Sequence, residues 1–284
     1  MSSFVVKHVV ADAARELHVY RALGRLSSGI STPRLLGWRD TGFDGMYLFL
    51  EWVAPCDTWP WKDLEATGLV IEQLARVHAC ETRDFSDALQ SWDYDRELLE
   101  SAEATVKLYR AAFLNGAQRG NRPMLRQLER VATALPAIRR ELAAFLGTAV
   151  LHGDAHTGNA IIRQSGESRE AVLLDWGRAR IGSPLEDLCS WLQSVSFWEP
   201  EAKRVQERLT KRYLSARGIA VELTPQFRDA SSLAAACNGL SGALRYHLLV
   251  MCDTRRSPDE QSWAARASAD WLRVIRRADA CVRV

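Results

Sequence analysis

Two short stretches hold the residue types that can do chemistry. Leu151–Asn159 reads LHGDAHTGN, and Leu173–Gly177 reads LLDWG. The first carries Asp154 and Asn159 beside His152 and His156, and the second carries Asp175. Two carboxylates and an amide are hard oxygen donors. They suit Mg²⁺, which takes one or two carboxylates and leaves further positions to phosphate oxygens. His152, Asp154 and His156 form a second set. On a strand, alternate residues point to one side, and two imidazoles with a carboxylate suit zinc in a hydrolase. Gly153 and Gly158 argue for a loop instead. The plainest alternative is a polar turn whose side chains satisfy buried backbone groups.

Whichever chemistry applies, local elements must place these residues. TAVLH and NAIIR read as short strands on either side of the loop, QSGES as a turn and AVLLD as a further strand. A strand–turn–strand unit brings Asp175 back beside Asp154 and Asn159. That is one layout for phosphoryl transfer. An Asp orients the attacking hydroxyl, an Asn five residues later holds one Mg²⁺, and an Asp before an aromatic and a glycine holds the metal that bridges the phosphates. Such a reaction rests on positioning and charge neutralisation and needs no nucleophilic Ser or Cys.

HGDAHTGN and LLDWGRARIGSPLEDL resemble the two signature segments of the aminoglycoside phosphotransferase and choline kinase-like family. The resemblance runs from Phe4 to about Leu192. It implies a protein-kinase-like α+β fold in two lobes, a small strand-rich N-lobe and a large, mainly helical C-lobe. It implies ATP or GTP with Mg²⁺ as cofactors. The acceptor would be a hydroxyl of a small molecule such as an antibiotic, a sugar or an amino alcohol. Asp154 would be the catalytic residue, and Asn159 and Asp175 the metal ligands. Lys7 in FVVKHVV and Glu16 in AARELHVY resemble the strand lysine and helix glutamate that grip nucleotide phosphates. YLFLEWVAP resembles the last N-lobe strand and the hinge, so the adenine edge would bond backbone groups near Glu51 and Val53. Asp187 resembles the buried aspartate that hydrogen-bonds the catalytic loop.

Other residues read more plainly. His78 is a core histidine, His152 a brace for the loop, His156 a support beside it, and Trp191 and Trp198 core side chains, with the substrate cleft as their alternative place. Arg178 and Arg180 either aid an anionic substrate or pair with Glu186 and Asp187 at the surface. The family places two strands and a phosphate-covering loop before the strand lysine. Only Met1–Val6 precede Lys7, and neither GxGxxG nor GxxxxGK[ST] occurs, so an incomplete N-lobe is expected. That leaves an alternative open: a catalytically impaired, kinase-shaped binding or regulatory protein.

Elsewhere, FVVKHVV reads as a strand, and STPRLLGWRDTGFDGMYLFLEWVAP as two strands around Asp40–Gly45. Pro55 and CDTWPW break the pattern and set the expected boundary between residues 1–55 and 56–284. Thr67–Ala79 reads as a helix with Val70, Leu74 and Val77 on one face. Tyr94–Leu114 and Pro123–Leu146 read as longer helices, and everything from Pro184 onward reads as helical.

Composition excludes several classes. A net charge of +2 over 284 residues gives no argument for nucleic acid. No apolar run reaches the ~18 residues of a membrane span. MSSFVVKHVV has no signal-peptide pattern, and the six cysteines form no CxxC pair. A cytoplasmic protein with reduced thiols, and without nucleic-acid or membrane partners, is expected. Residues 201–284 hold 15 basic and 9 acidic side chains, a balance that does not favour a polycationic acceptor.

Overall fold

A computed structural model describes residues 3–10, 15–26, 29–42, 45–56, 63–85, 89, 93–114, 122–220 and 222–282. The chain divides into two compact units, residues 1–92 with 148–221 and residues 93–147 with 222–284. Most of the expected break at Cys56–Trp61 lies outside the described residues. Among those described, no helix is long and apolar enough to cross a membrane.

The first unit opens with a three-stranded antiparallel sheet. Strands β1 (Phe4–Val9), β2 (Leu35–Asp40) and β3 (Met46–Glu51) lie in the order β1-β3-β2. Phe4 faces Glu51 and Lys7 faces Leu48. Helix α1 (Arg15–Arg25) follows β1 and buries Glu16, Leu17, Val19, Tyr20 and Leu23. Helix α2 (Leu64–His78) starts where the Asp63 side chain accepts the Glu65 and Ala66 amides, a conventional N-cap. Val70, Leu74 and Val77 are fully buried, as their spacing requires.

Strands β4 (Ala149–Leu151), β5 (Ala160–Ser165), β6 (Ser168–Leu173) and β7 (Arg180–Gly182) follow. β5 and β6 form the expected hairpin, turning at Gly166–Glu167. β7 is not apparent from the sequence. Three residues are too few to show a period, and the strand exists because it pairs with β4, with Arg180 opposite Leu151. Helix α5 (Pro184–Trp198) begins with a Ser183–Glu186 capping box and Pro184 in its first turn, and helix α6 (Ala202–Ala216) ends the unit's regular structure.

The second unit is helical: α3 (Tyr94–Leu114), α4 (Arg122–Leu146), α7 (Pro225–Asn238), α8 (Leu244–Cys252) and α9 (Pro258–Cys281). α4 buries Met124, Leu128, Val131, Leu135, Ile138 and Leu142, one apolar stripe at helical spacing, and packs on α3, α7 and α9. A π-helical turn, Gly239–Ala243, joins α7 to α8, with Gly242 at φ 142°.

One glycine is required by the N-terminal sheet. Gly45 has φ 107°, and a Cβ there would lie 2.2 Å from the Val9 carbonyl oxygen. Gly45→Ala therefore combines a positive φ with a backbone clash. It is expected to lower unfolding stability by about 1–3 kcal/mol in urea denaturation.

Candidate active site

The loop after β4 hangs from a buried carboxylate. Asp187 on α5 accepts the backbone amides of His152 at 2.6 Å and Gly153 at 2.9 Å. His78 on α2 lies 3.1 Å from the same carboxylate through Nε2, and its Nδ1 lies 2.7 Å from the Tyr213 hydroxyl on α6. A carboxylate only accepts, so Nε2–H donates to Asp187 and Nδ1 accepts from Tyr213. Burial alone would push Asp187 upward. The hydrogen bond from His78, with the Arg180 guanidinium nearby, outweighs burial and holds the carboxyl below the usual range.

His152 braces the loop from inside. Its Nε2 meets the Leu174 carbonyl at 2.7 Å, and its Nδ1 accepts the Asp154 amide at 3.3 Å. Burial pushes this ring below the ordinary imidazole value, against the pull of Asp187 and Asp154. Both nitrogens meet backbone groups, so His152 is not arranged as a zinc ligand. Among the described residues no three His, Cys, Asp or Glu side chains gather as a metal site.

Asp154 and Asn159 are joined directly. The Asn159 amide nitrogen donates to the Asp154 backbone oxygen at 3.0 Å and to Oδ2 at 3.2 Å. That orientation turns the Asn159 amide oxygen away from Asp154. Burial raises Asp154, but the His156 ring, 3.7 Å away, together with the charge of Arg178, carries it below the ordinary value. His156 also accepts the Gly158 amide at 3.0 Å. Thr157 is fixed to α5 through Ser194, at 3.1 Å from its amide.

The Leu174 amide donates to the Asn159 carbonyl at 2.9 Å, which brings the end of the hairpin to the loop. Asp175 follows with φ 61°, the left-handed region that non-glycine residues rarely adopt. Lys7 spans the gap. Its ammonium lies 2.8 Å from Asp175 Oδ1 and 2.7 Å from Glu16 Oε2. Burial pulls Lys7 down, yet the bonds to Asp175 and Glu16 leave it raised overall. Burial raises Glu16. Its Oε1 also accepts the Trp176 amide at 3.2 Å. Lys7, Glu16, Asp154, Asn159 and Asp175 are thus brought together in one unit. Val53 is buried near the end of β3, and the Glu51 amide donates to the Arg34 carbonyl at 2.9 Å.

Several contributors are not singled out by the sequence. Tyr20 hydrogen-bonds the Asp175 backbone and Thr32. Arg15 donates to the Gly177 carbonyl at 2.7 Å, and Trp176 donates through its ring to Thr32 at 2.9 Å. The spacing of Glu16 and Tyr20, one helical turn apart on α1, is the only local signal for them. Arg180 and Glu186 do pair, at 2.7 Å, but in the interior rather than at the surface. Trp191 is core and fully buried as expected, but Trp198, expected in the core as well, is exposed at the C-terminal end of α5.

A family model described as the phosphotransferase enzyme family matches residues 3–227, and so spans the sheet, the loop and the Asp175 segment. The chain belongs to this family. A comparison with curated proteins finds no match. Among solved structures, this phosphotransferase resembles APH(3'')-Id of Streptomyces rimosus, an aminoglycoside phosphotransferase in complex with ADP and streptomycin. The two are 23% identical, with a TM-score of 0.58 over 84% of this chain and 87% of that one. It also resembles the Plasmodium vivax ethanolamine kinase, at 11% identity and TM-score 0.68 over 99% and 78%. A choline/ethanolamine kinase family protein of Mesorhizobium loti matches at 17% identity and TM-score 0.63 over 99% and 86%. These likenesses establish the kinase-like α+β fold of the phosphotransferase.

Asp187 and His152 are both depressed in the folded state. The unfolded chain therefore binds more protons as pH falls, and both contributions are complete only above the unfolded values. Stability is expected to decline below about pH 6.5 through His152 and more steeply below about pH 4 through Asp187. Urea midpoints across this range check it: His152→Asn flattens the upper part of the decline, and Asp187→Asn the lower part.

Proposed function

We propose that this protein transfers the γ-phosphate of ATP or GTP to a hydroxyl of a small molecule, with Mg²⁺. The observation that carries the proposal is the meeting of Asp154, Asn159 and Asp175 at one loop, with Lys7 bridging Glu16 and Asp175. In this reading, residues 1–55 form the nucleotide-gripping lobe, and residues 56–284 carry the catalytic loop and the acceptor-binding helices.

The donor set fits magnesium. Asp175 offers a carboxylate half open to solvent, and the Asn159 amide oxygen faces away from Asp154. These two residues would hold the metal, which when bound neutralises phosphate charge. Lys7 lies between Glu16 and Asp175, where an ammonium can grip the α- and β-phosphates. Backbone groups near Glu51 and Val53 would bond the adenine edge. Asp154 accepts a hydrogen bond from the acceptor hydroxyl and orients it in line with the γ-phosphorus. As the new O–P bond forms and the bond to the β-phosphate oxygen breaks, the hydroxyl proton passes to Asp154. A carboxylate held below its usual range stays ionised at neutral pH and so accepts the hydroxyl's hydrogen bond.

The relative solved with ADP supports an adenine nucleotide, and aminoglycoside 2'-phosphotransferase-IIIa, a similar structure solved with GDP (15% identity, TM-score 0.61), supports a guanine one. Streptomycin, bound by one relative, and the ethanolamine and choline of the kinases are all small molecules. The basic balance of residues 201–284 does not favour a polycation, which leaves an antibiotic of another class, a sugar and an amino alcohol on an equal footing.

Nucleotide consumption across a panel of hydroxyl compounds tests the reading. Asp154→Ala is expected to lower turnover about 10²–10⁴-fold. ATP with Mg²⁺ should raise the melting temperature by several degrees, an effect lost in Asp175→Ala. Unchanged turnover in Asp154→Ala, or no nucleotide-dependent shift, would exclude it.

A further inference from the structure

Arg180 and Glu186 form an ion pair in an interior where ion pairs are poor stabilisers. Arg180 is 4% exposed and Glu186 is fully buried. Desolvating two charges offsets most of their attraction, and apolar residues of similar volume usually stabilise as well or better. A reason other than stability is therefore needed, and the bonds of Arg180 supply one. Its Nη2 donates to Glu186 at 2.7 Å, while its Nη1 donates to the Gly153 carbonyl at 2.7 Å. The other Glu186 oxygen accepts the Ser183 amide at 3.2 Å, which ties the carboxylate to the start of α5.

We propose that Arg180, held by Glu186, is a positioning residue for Asp154 and acts through the Gly153 carbonyl. The peptide between Gly153 and Asp154 is planar, so fixing its two polar ends fixes the plane. Arg180 holds the oxygen end, and His152 accepts the Asp154 N–H at the other end at 3.3 Å. The preceding peptide is held by Asp187 through the Gly153 amide. Gly153 itself has φ 82°, and a Cβ there would lie 1.9 Å from the Arg178 carbonyl oxygen. The loop is thus pressed against the turn that leads into the strand carrying Arg180. Releasing the carbonyl frees the plane to rotate and moves the Asp154 carboxylate with it. A lysine is a poor substitute, because one ammonium does not reproduce the planar fork that reaches both acceptors.

The inference rests on the reading of Asp154 as the residue that orients the hydroxyl, and the tests separate the two. The double variant Arg180→Met/Glu186→Leu removes both charges at similar volume. It is expected to melt near the wild-type temperature, to keep the nucleotide KM within about 2-fold, and to lose about 10–100-fold in kcat. A folded double variant with kcat within about 3-fold of wild type would overturn the proposal. Hydrogen–deuterium exchange of Arg180→Lys gives an answer that needs no turnover. Residues 151–156 should exchange faster than in wild type while α2 stays unchanged, and equal exchange in that segment sinks the proposal even if the double variant fails to fold. If Asp154→Ala turns over like wild type, the functional reading falls and exchange alone decides the role of Arg180.

Discussion

A buried carboxylate keeps its charge only when donors surround it, and Asp187 has them on every side. Two come from the backbone of the loop, at His152 and Gly153, and a third from His78. Because those donors belong to α2 and to the loop after β4, the need to satisfy one charge draws these elements onto α5. Tyr213 extends the chain of bonds to α6. The loop bearing Asp154 therefore has little freedom. Its amides go to Asp187, its Gly153 carbonyl goes to Arg180, and its His152 ring goes to Leu174. Polar groups buried without partners would cost about 1–3 kcal/mol each, so the arrangement specifies one loop conformation as well as stabilising it.

Asp175 is held differently. Its left-handed backbone is unfavourable for a residue with a side chain, and strain of this kind persists only where neighbours over-determine it. They do so here. Leu174 is bonded to Asn159, the Trp176 amide to Glu16, and the Asp175 carboxylate to Lys7. α1 contributes Glu16 and Tyr20 from one face, so the helix that follows the lysine strand also shapes the turn after β6. The strained turn leaves the Asp175 side chain half open to solvent, while the aromatic beside it is fully buried.

The helices were largely legible. α3 follows the expected range, and α2 and α4 lie within a few residues of theirs, because apolar spacing and caps are local signals. The hairpin β5–β6 follows from a turn between two apolar runs. β7 was not legible, since a three-residue strand takes its identity from β4. The π-helical turn at Gly239–Ala243 likewise has no local signature beyond its two glycines. At the site, Asp154, Asn159 and Asp175 stood out because their residue types and spacing carry a chemical layout. Tyr20, Thr32 and Arg15 did not, because each is defined by a partner more than a hundred residues away.

What the sequence determined by itself is the chemistry on offer: which carboxylates, amides and amines exist, in what order, and on which local elements. Those are properties of residue type and short-range spacing. What only the tertiary structure decided is the state of the shared residues. Arg180 reads as an aid to an anionic substrate or, more plainly, as a surface partner of Glu186, and the pair became a buried clamp once β7 paired with β4. His152 and His156 invited a metal until folding turned the first ring onto backbone groups and the second between the Gly158 amide and the Asp154 carboxylate. Burial, protonation and partner choice depend on what the rest of the chain brings within a few ångströms, and no window of the sequence contains that.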